Sequence, residues 1–238
     1  MPGILRGGII AAGAGTRLRA DGWRESKPLV PVAGKPLIGH ALDRFRAAGI
    51  QRPAILINEE GDDCRQWLKE RGELAGIDLI VRTTASSYDS FCLIAARLGG
   101  MPAVITTVDS VMAPDDFLQF LLRAMDFPPD AIVLGLTEHV DDERPLWAHL
   151  DGQSGRIRAL GGTSGRYVTA GLYVIPGQWS IAPAADFERL RDYLSWLVIM
   201  DWPVYGVVVS RVFDIDRQRD IAAAEQALAG TSSFRQAR

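Results

Sequence analysis

Short apolar runs alternate with segments whose apolar residues recur at helical spacing over the first 135 residues. The segment holding Ile38, Leu42 and Phe45 illustrates the helical spacing, and Gly49 follows it as a stop signal. The strands predicted in this part are 4–12, 53–58, 77–82, 103–108 and 131–136. This alternation is typical of a doubly wound α/β fold with a mostly parallel sheet and helices on both faces.

The rest of the chain is less regular. Two short apolar segments at 147–150 and 156–160 flank the turn-forming residues 151–155, which predicts a small antiparallel hairpin. Further strands are predicted at 167–175 and 204–209, a helix around 187–197, a last helix at 218–229 and a frayed tail from 231. We expect one domain, 1–238, made of a regular first half, 1–136, a less regular second half, 137–217, and a C-terminal helix and tail, 218–238.

Composition excludes several classes of protein. The chain is 23% charged and 47% hydrophobic with a net charge of −3, so no basic field predicts a nucleic-acid partner. The longest apolar window, 194–213, is interrupted by Asp201, Pro203 and Arg211, and no membrane span is expected. The first residues carry no basic region or apolar core of a secretion signal, so a cytoplasmic location is expected.

A glycine-rich loop follows the first predicted strand directly. Its sequence is GAGTRL, residues 13–18, and the sequence KPL follows at residues 27–29. Glycines let backbone N–H groups approach an anion closely, and two cations, Arg17 and Lys27, flank the loop. The pattern predicts a loop that handles phosphate groups.

Two common phosphate-binding loops do not fit this pattern. A dinucleotide-binding loop needs a third glycine near position 18, where Leu18 stands, and a helix where we expect a long irregular loop. A Walker loop fails because Gly34 and Lys35 are followed by Pro36 and not by the Ser or Thr that would hold magnesium.

The combination of the two elements, most specific over residues 11–37, resembles the nucleotidyltransferase superfamily. That superfamily includes sugar-1-phosphate nucleotidyltransferases and molybdopterin-type guanylyl- and cytidylyltransferases, and the order of parts is similar over essentially the whole chain. The resemblance implies that the glycine-rich loop binds a nucleoside triphosphate (NTP), through Ala12, Gly13, Gly15 and Thr16. It also implies that Arg17 and Lys27 act on the phosphates as catalytic cations.

Metal ligands follow from the same resemblance. An Asp after the fourth strand, here Asp109, would hold Mg²⁺, and a second carboxylate would come from the segment before the last helix. Asp216 is the favoured second ligand and Asp214 the close alternative. Each of these residues also has a structural reading, as the cap of a turn or of the last helix.

The match departs from the family where the base and the acceptor would bind. Ser86 and Ser87 stand in the base-contacting loop, where they either contact the nucleotide or cap the helix that begins near Asp89. Thr169 and Gly171 resemble the segment beside the sugar, with Thr169 in place of the usual Asn. The Glu-Lys-Pro element of many sugar enzymes is absent, and residues 160–162 read LGG there.

The resulting hypothesis is a Mg²⁺-dependent transfer of a nucleoside monophosphate from an NTP to a phosphorylated acceptor, with release of pyrophosphate. Joining two anions requires positioning and charge neutralisation more than covalent chemistry. A sugar 1-phosphate is the first acceptor to consider, and a molybdopterin-type or other phospho-alcohol acceptor is the alternative. Two further alternatives are a GT-A-like glycosyltransferase, which the acidic string at 214–216 matches, and a nucleotide-binding protein without turnover.

Overall fold

The computed structural model describes residues 6–140, 144–177 and 187–235. Its helices are α1 (Thr16–Ala20), α2 (Leu37–Ala47), α3 (Asp62–Glu70), α4 (Ser87–Leu98), α5 (Pro114–Ala124), α6 (Leu190–Ile199) and α7 (Gln218–Arg235). Short 3-10 turns lie at Lys27–Leu29 and Glu73–Gly76. The strands are β1 (Arg6–Ala11), β2 (Pro31–Val32), β3 (Lys35–Pro36), β4 (Ala54–Ile57), β5 (Asp78–Val81), β6 (Ala103–Thr107), β7 (Ser110–Val111), β8 (Ile132–Thr137), β9 (Trp147–Leu150), β10 (Ile157–Leu160), β11 (Tyr167–Ile175), β12 (Val204–Val208) and β13 (Phe213–Asp214).

One nine-stranded sheet forms the centre of the fold. Strands β5, β4, β1 and β6 lie side by side and parallel, and β12 is parallel to β8. The long strand β11 runs antiparallel between β6 and β8. The predicted mostly parallel sheet is therefore confirmed, and so is the predicted antiparallel hairpin, which is formed by β9 and β10.

Helices cover both faces of this sheet because successive strand residues point to opposite sides. On β1, Ile9 belongs to a core with α2 and α5, whereas Ile10 packs against a second core with α4 and α6. Phe45 stacks on Phe117 in the first core, at 5.5 Å between ring centroids. Burial of each such ring stabilises the fold by about 1.5–3 kcal/mol, so the two cores hold the sheet from both sides.

The nine strands predicted from the sequence are the nine strands of the large sheet. Two expectations are wrong. The segment after Gly15 is the helix α1 and not an irregular loop, because Gly15 adopts a left-handed conformation that redirects the chain and Leu18 is buried. The tail predicted to fray over 231–238 is helical to Arg235, since an established helix gains a hydrogen bond with each added residue, and residues 236–238 of that prediction lie outside the described ranges.

The last helix has its own cap. The Asp220 carboxylate accepts hydrogen bonds from the backbone N–H groups of Asp216 and Arg217, at 3.0 and 2.7 Å.

In the described ranges, we find no helix with the length and apolar character that a membrane crossing requires.

Candidate active site

An open pocket of about 600 Å³ lies where the carboxyl ends of β1, β6 and β8 meet. This edge of a parallel sheet is the usual place for ligands in open α/β folds. The predicted residues that line the pocket are Gly13, Gly15, Thr16, Arg17, Lys27, Ser87, Asp109, Thr169, Gly171, Asp214 and Asp216. Two predicted residues, Ala12 and Ser86, are not among its lining residues.

The glycine-rich loop brings its backbone close to Lys27. Gly15 has a φ of 61°, and a Cβ atom added there would lie 3.0 Å from the Cβ atom of Lys27. An added Cβ at Gly13 would meet nothing within 4 Å among the described residues, so the backbone there faces open space. The loop thus holds Lys27 tightly and leaves room beside Gly13 for a ligand.

Three carboxylates gather beside this loop, and we call Asp109, Asp214 and Asp216 the carboxylate cluster. Asp109 follows β6, while β13 pairs with β7 and places Asp214 opposite Ser110. The backbone N–H of Ile215 also donates to the Asp109 carbonyl, at 3.2 Å. One oxygen from each carboxylate can be chosen so that all three lie within 4.8 Å of one another.

Lys27 lies inside the carboxylate cluster. Its Nζ atom is 2.6 Å from Asp109 Oδ2 and 2.6 Å from Asp216 Oδ1, and its side chain is only 8% exposed. The Arg17 guanidinium donates to the other oxygen of Asp216. The cluster and the glycine-rich loop therefore enclose the Lys27 side chain.

This enclosure changes the ionisation of both partners. Burial lowers the pKa of Lys27, but the charges of Asp109, Asp214 and Asp216 more than offset it and raise the pKa above its usual value. Burial raises the pKa of Asp109, and the Lys27 ammonium outweighs this and lowers it. Both groups are therefore charged at neutral pH. The cluster holds a cation already, and its donor set of carboxylate oxygens fits Mg²⁺.

Gly171 supports the loop that carries Asp109. It has a φ of 66°, and an added Cβ atom would lie 2.2 Å from Ser110 Oγ and 2.4 Å from Thr107 Oγ1. These two hydroxyls are hydrogen-bonded to each other at 2.8 Å. Only glycine lets β11 approach this closely, which fixes the loop on both sides of Asp109. Thr169, two residues earlier on β11, also lines the pocket.

The two serines have different positions. The Ser86 side chain accepts a hydrogen bond from the backbone N–H of Asp89 at 3.0 Å, so it caps α4. The Ser87 side chain lines the pocket and accepts from the backbone N–H of Leu190 at 3.0 Å, which joins the starts of α4 and α6. The carbonyl of Ala12 accepts from the Asn58 side-chain amide at 3.3 Å.

Three arginines that sequence reasoning missed line another part of the pocket wall. Arg144 precedes β9, and Arg189 and Arg191 lie at the start of α6. Arg191 Nη2 donates to the Arg144 carbonyl at 2.7 Å, which ties the two segments together. We call these residues the arginine group. Arginine is abundant throughout the chain, so no local pattern marked these three.

The chain has the fold, the glycine-rich loop and the acidic residues that the resemblance to the nucleotidyltransferase superfamily predicts. Residues 7–194 match the family model of the MobA-like NTP transferase domain, and the chain belongs to this family.

Curated relatives are similar to part of this sequence, and a solved structure is similar to its fold. The chain is 29% identical over 130 residues to bifunctional protein GlmU of Parvibaculum lavamentivorans, covering 53% of this chain and 28% of that protein. It is 28% identical over 125 residues to a glucose-1-phosphate thymidylyltransferase of an Actinoplanes species, covering 51% and 41%. The chain thus spans less than half of each relative. A crystal structure from Bacillus anthracis, described as a glucose-1-phosphate thymidylyltransferase, shares the fold with a TM-score of 0.78 at 18% identity, covering 94% of both chains.

Proposed function

We propose that this protein is a Mg²⁺-dependent nucleotidyltransferase that transfers a nucleoside monophosphate from an NTP to a phosphorylated acceptor. The first acceptor to test is a sugar 1-phosphate. The observation that carries the proposal is the carboxylate cluster, in which one oxygen of each carboxylate lies within 4.8 Å of the others, beside Arg17, Lys27 and the glycine-rich loop. This combination supplies metal ligands and phosphate-binding groups in one pocket.

In the proposed reaction, an oxygen of the acceptor phosphate bonds to the α-phosphorus of the NTP. The bond from the α-phosphorus to the oxygen that bridges it to the β-phosphorus breaks, and pyrophosphate leaves with that electron pair. No proton transfer to the chain is needed if the acceptor phosphate is fully ionised. The chain therefore acts by orienting two anions and by offsetting their charge.

Individual residues would divide this task. Backbone N–H groups around Gly13 and Gly15 approach the phosphates, Arg17 offers a planar pair of donors, and Lys27 offers a mobile point charge. Asp109, Asp214 and Asp216 would hold Mg²⁺, which supplies positive charge to the phosphate oxygens when bound.

The pocket's charge supports an anionic acceptor as well as an anionic nucleotide. Its described lining has five Lys or Arg residues against three Asp residues, whereas the whole chain has a net charge of −3. A basic cleft in an acidic protein concentrates anions at the site. The arginine group, before β9 and at the start of α6, supplies three of these cations and would bind the acceptor phosphate.

The test is pyrophosphate release with ATP, GTP, CTP, UTP and dTTP against a panel of sugar 1-phosphates and other phosphorylated alcohols. Each pair is run with Mg²⁺ and with EDTA. Release that needs one NTP, one acceptor and Mg²⁺ supports the proposal and identifies both substrates. Silence over the whole panel contradicts a transferase for these acceptors, and sugar transfer from a nucleotide sugar without pyrophosphate release supports the glycosyltransferase alternative.

A further inference from the structure

Two cations of the site form ion pairs with two carboxylates of the carboxylate cluster. Lys27 bridges Asp109 and Asp216, and Arg17 pairs with the second oxygen of Asp216. We propose that Lys27 occupies the metal position in the free protein, so that metal and NTP bind as a coupled pair that exchanges these ion-pair partners. This inference rests on the proposed function of the site.

Lys27 and the metal compete for the same oxygens. The Lys27 Nζ atom is 2.6 Å from an oxygen of Asp109 and 2.6 Å from an oxygen of Asp216. Mg²⁺ bound by these carboxylates would lie about 2.0–2.1 Å from its oxygen ligands. The ammonium and the ion would then overlap or repel at close range, so the ammonium has to leave before the ion can enter.

Either ligand alone leaves charges without partners. A metal ion bound alone displaces the Lys27 ammonium from the carboxylates. Because the Lys27 side chain is only 8% exposed, the ammonium group stays close to the positively charged metal ion. A triphosphate alone draws Lys27 and Arg17 away and leaves three carboxylates within 4.8 Å of one another. When both bind, the carboxylates meet the metal while Lys27 and Arg17 meet phosphate oxygens. Each ligand therefore raises the affinity of the other, and by the same factor.

The movement required is small. The Cβ atom of Lys27 packs closely against Gly15, which holds the backbone of both segments in place. The flexible four-carbon side chain of lysine can rotate its ammonium group between neighbouring acceptors without a backbone change. The exchange is therefore a rotation of the Lys27 side chain inside a fixed site.

The test measures each ligand alone, with Mn²⁺ as the metal probe and tripolyphosphate in EDTA as the base-independent phosphate probe. Lys27→Met should bind Mn²⁺ at least about tenfold more tightly than the wild type, since the competing cation is gone. Asp216→Asn should bind tripolyphosphate at least about tenfold more tightly without metal, since Arg17 and Lys27 lose a competing carboxylate. Calorimetry gives both affinities, and thermal unfolding checks that each variant is folded.

The matched controls are Lys35→Met and Asp43→Asn, which break an exposed ion pair between β3 and α2 and should change neither affinity. Equal or weaker Mn²⁺ binding by Lys27→Met would overturn the exchange, as would equal or weaker tripolyphosphate binding by Asp216→Asn. One variant should bind the metal more tightly and the other should bind the phosphate probe more tightly. Either variant therefore tests the inference if the other fails to fold. Neither measurement needs turnover. Failure of the proposed function would appear separately, as silence in the pyrophosphate assay.

Discussion

Lys27 and Arg44 are both cations removed from solvent, but their surroundings are opposite. Lys27 lies among three carboxylates, whereas the guanidinium nitrogens of Arg44 have no hydrogen-bond partner among the described residues. Arg44 lies on α2 with its guanidinium carbon 6.0 Å from the centre of the Phe117 ring. Burial lowers the pKa of Arg44 to about 10, whereas the carboxylate cluster raises the pKa of Lys27.

The difference separates a binding site from a core. A buried charge costs several kcal/mol of desolvation, which a close opposite charge can largely return. At Lys27 the three carboxylates offset the desolvation cost of the ammonium group. The same carboxylates could instead offset the desolvation cost of a metal ion. Around Arg44 the described residues supply an aromatic ring and no hydrogen-bond acceptor, so we expect this charge to lower the stability of the fold. Variants of the two regions should therefore move activity and stability in different directions.

The largest expected effect is on turnover. Asp109→Asn keeps the shape of the side chain but removes a carboxylate charge from the cluster, so it should lower pyrophosphate release at least about a thousandfold, or about 4 kcal/mol. The comparison predicts no such loss for Arg44→Met, which lies outside the pocket lining. Initial rates at saturating substrates measure both. A loss in Asp109→Asn of less than tenfold would contradict the metal-ligand assignment.

The second effect is on stability without ligands. Lys27→Met leaves three carboxylates together without their central cation, so its free energy of unfolding in EDTA should fall by about 3 kcal/mol. Mn²⁺ should restore much of this loss, because the ion takes the place of the ammonium group. Urea unfolding with and without Mn²⁺ measures both. Lys35→Met, on an exposed ion pair, is the control and should change stability by less than about 0.5 kcal/mol.

If Lys27→Met has the same free energy of unfolding as the wild type in EDTA, the carboxylate cluster does not need a cation for stability. Lys27 and Arg44 would then not differ in the way proposed.

The third effect has the opposite sign. Arg44→Met exchanges a buried charge for an apolar side chain of similar length, so it should raise the free energy of unfolding by about 1–2 kcal/mol. Arg46 lies two residues away at an exposed position of α2 and forms an ion pair with Glu73. Apart from the loss of this ion pair, Arg46→Met should change the free energy of unfolding by less than about 0.5 kcal/mol. Urea unfolding compares the two. A destabilised Arg44→Met protein would show that the charge at position 44 is worth more than its burial costs.

The residues of the site were easier to predict from the sequence than the ion pairs between them. The glycine-rich loop and the strand ends indicated Arg17, Lys27 and Asp109, because short motifs and strand order decide which residues reach one edge of a sheet. The ion pairs of Arg17 and Lys27 with Asp216 depend on the pairing of β13 with β7, a contact between distant segments that no local pattern encodes.

Burial of Arg44 was missed for a related reason. Position 44 lies beside the apolar stripe that includes Ala41, Leu42 and Phe45, and helical spacing alone does not tell how wide a face α5 will cover. The arginine group was missed because arginine is common along the whole chain. The fold was more predictable than these contacts, since the alternation of apolar runs determines strands and helices one at a time.

The smallest expected effect links Arg44 to pH. His40 lies one turn before Arg44, and its Nε2 atom is 2.8 Å from the Val32 carbonyl oxygen. Burial lowers the pKa of His40, and the Arg44 and Lys35 charges lower it further against the opposing effects of Val32 and Asp43. The unfolded chain, with a His pKa of about 6.5, therefore takes up the proton first.

Stability due to neutral His40 is thus fully present above about pH 6.5 and is lost as the pH falls toward the lower pKa of the folded state. Between pH 7 and 5.5 the loss should stay below about 1.4 kcal/mol, since one proton is involved and each pH unit below 6.5 is worth at most about 1.4 kcal/mol. His40→Gln should flatten this part of the stability profile, and Arg44→Met should flatten it partly by removing one repelling charge. Urea unfolding at five pH values measures the slopes. An unchanged slope in Arg44→Met would show that burial alone governs His40, and the unpaired guanidinium would then act on stability only through its own desolvation.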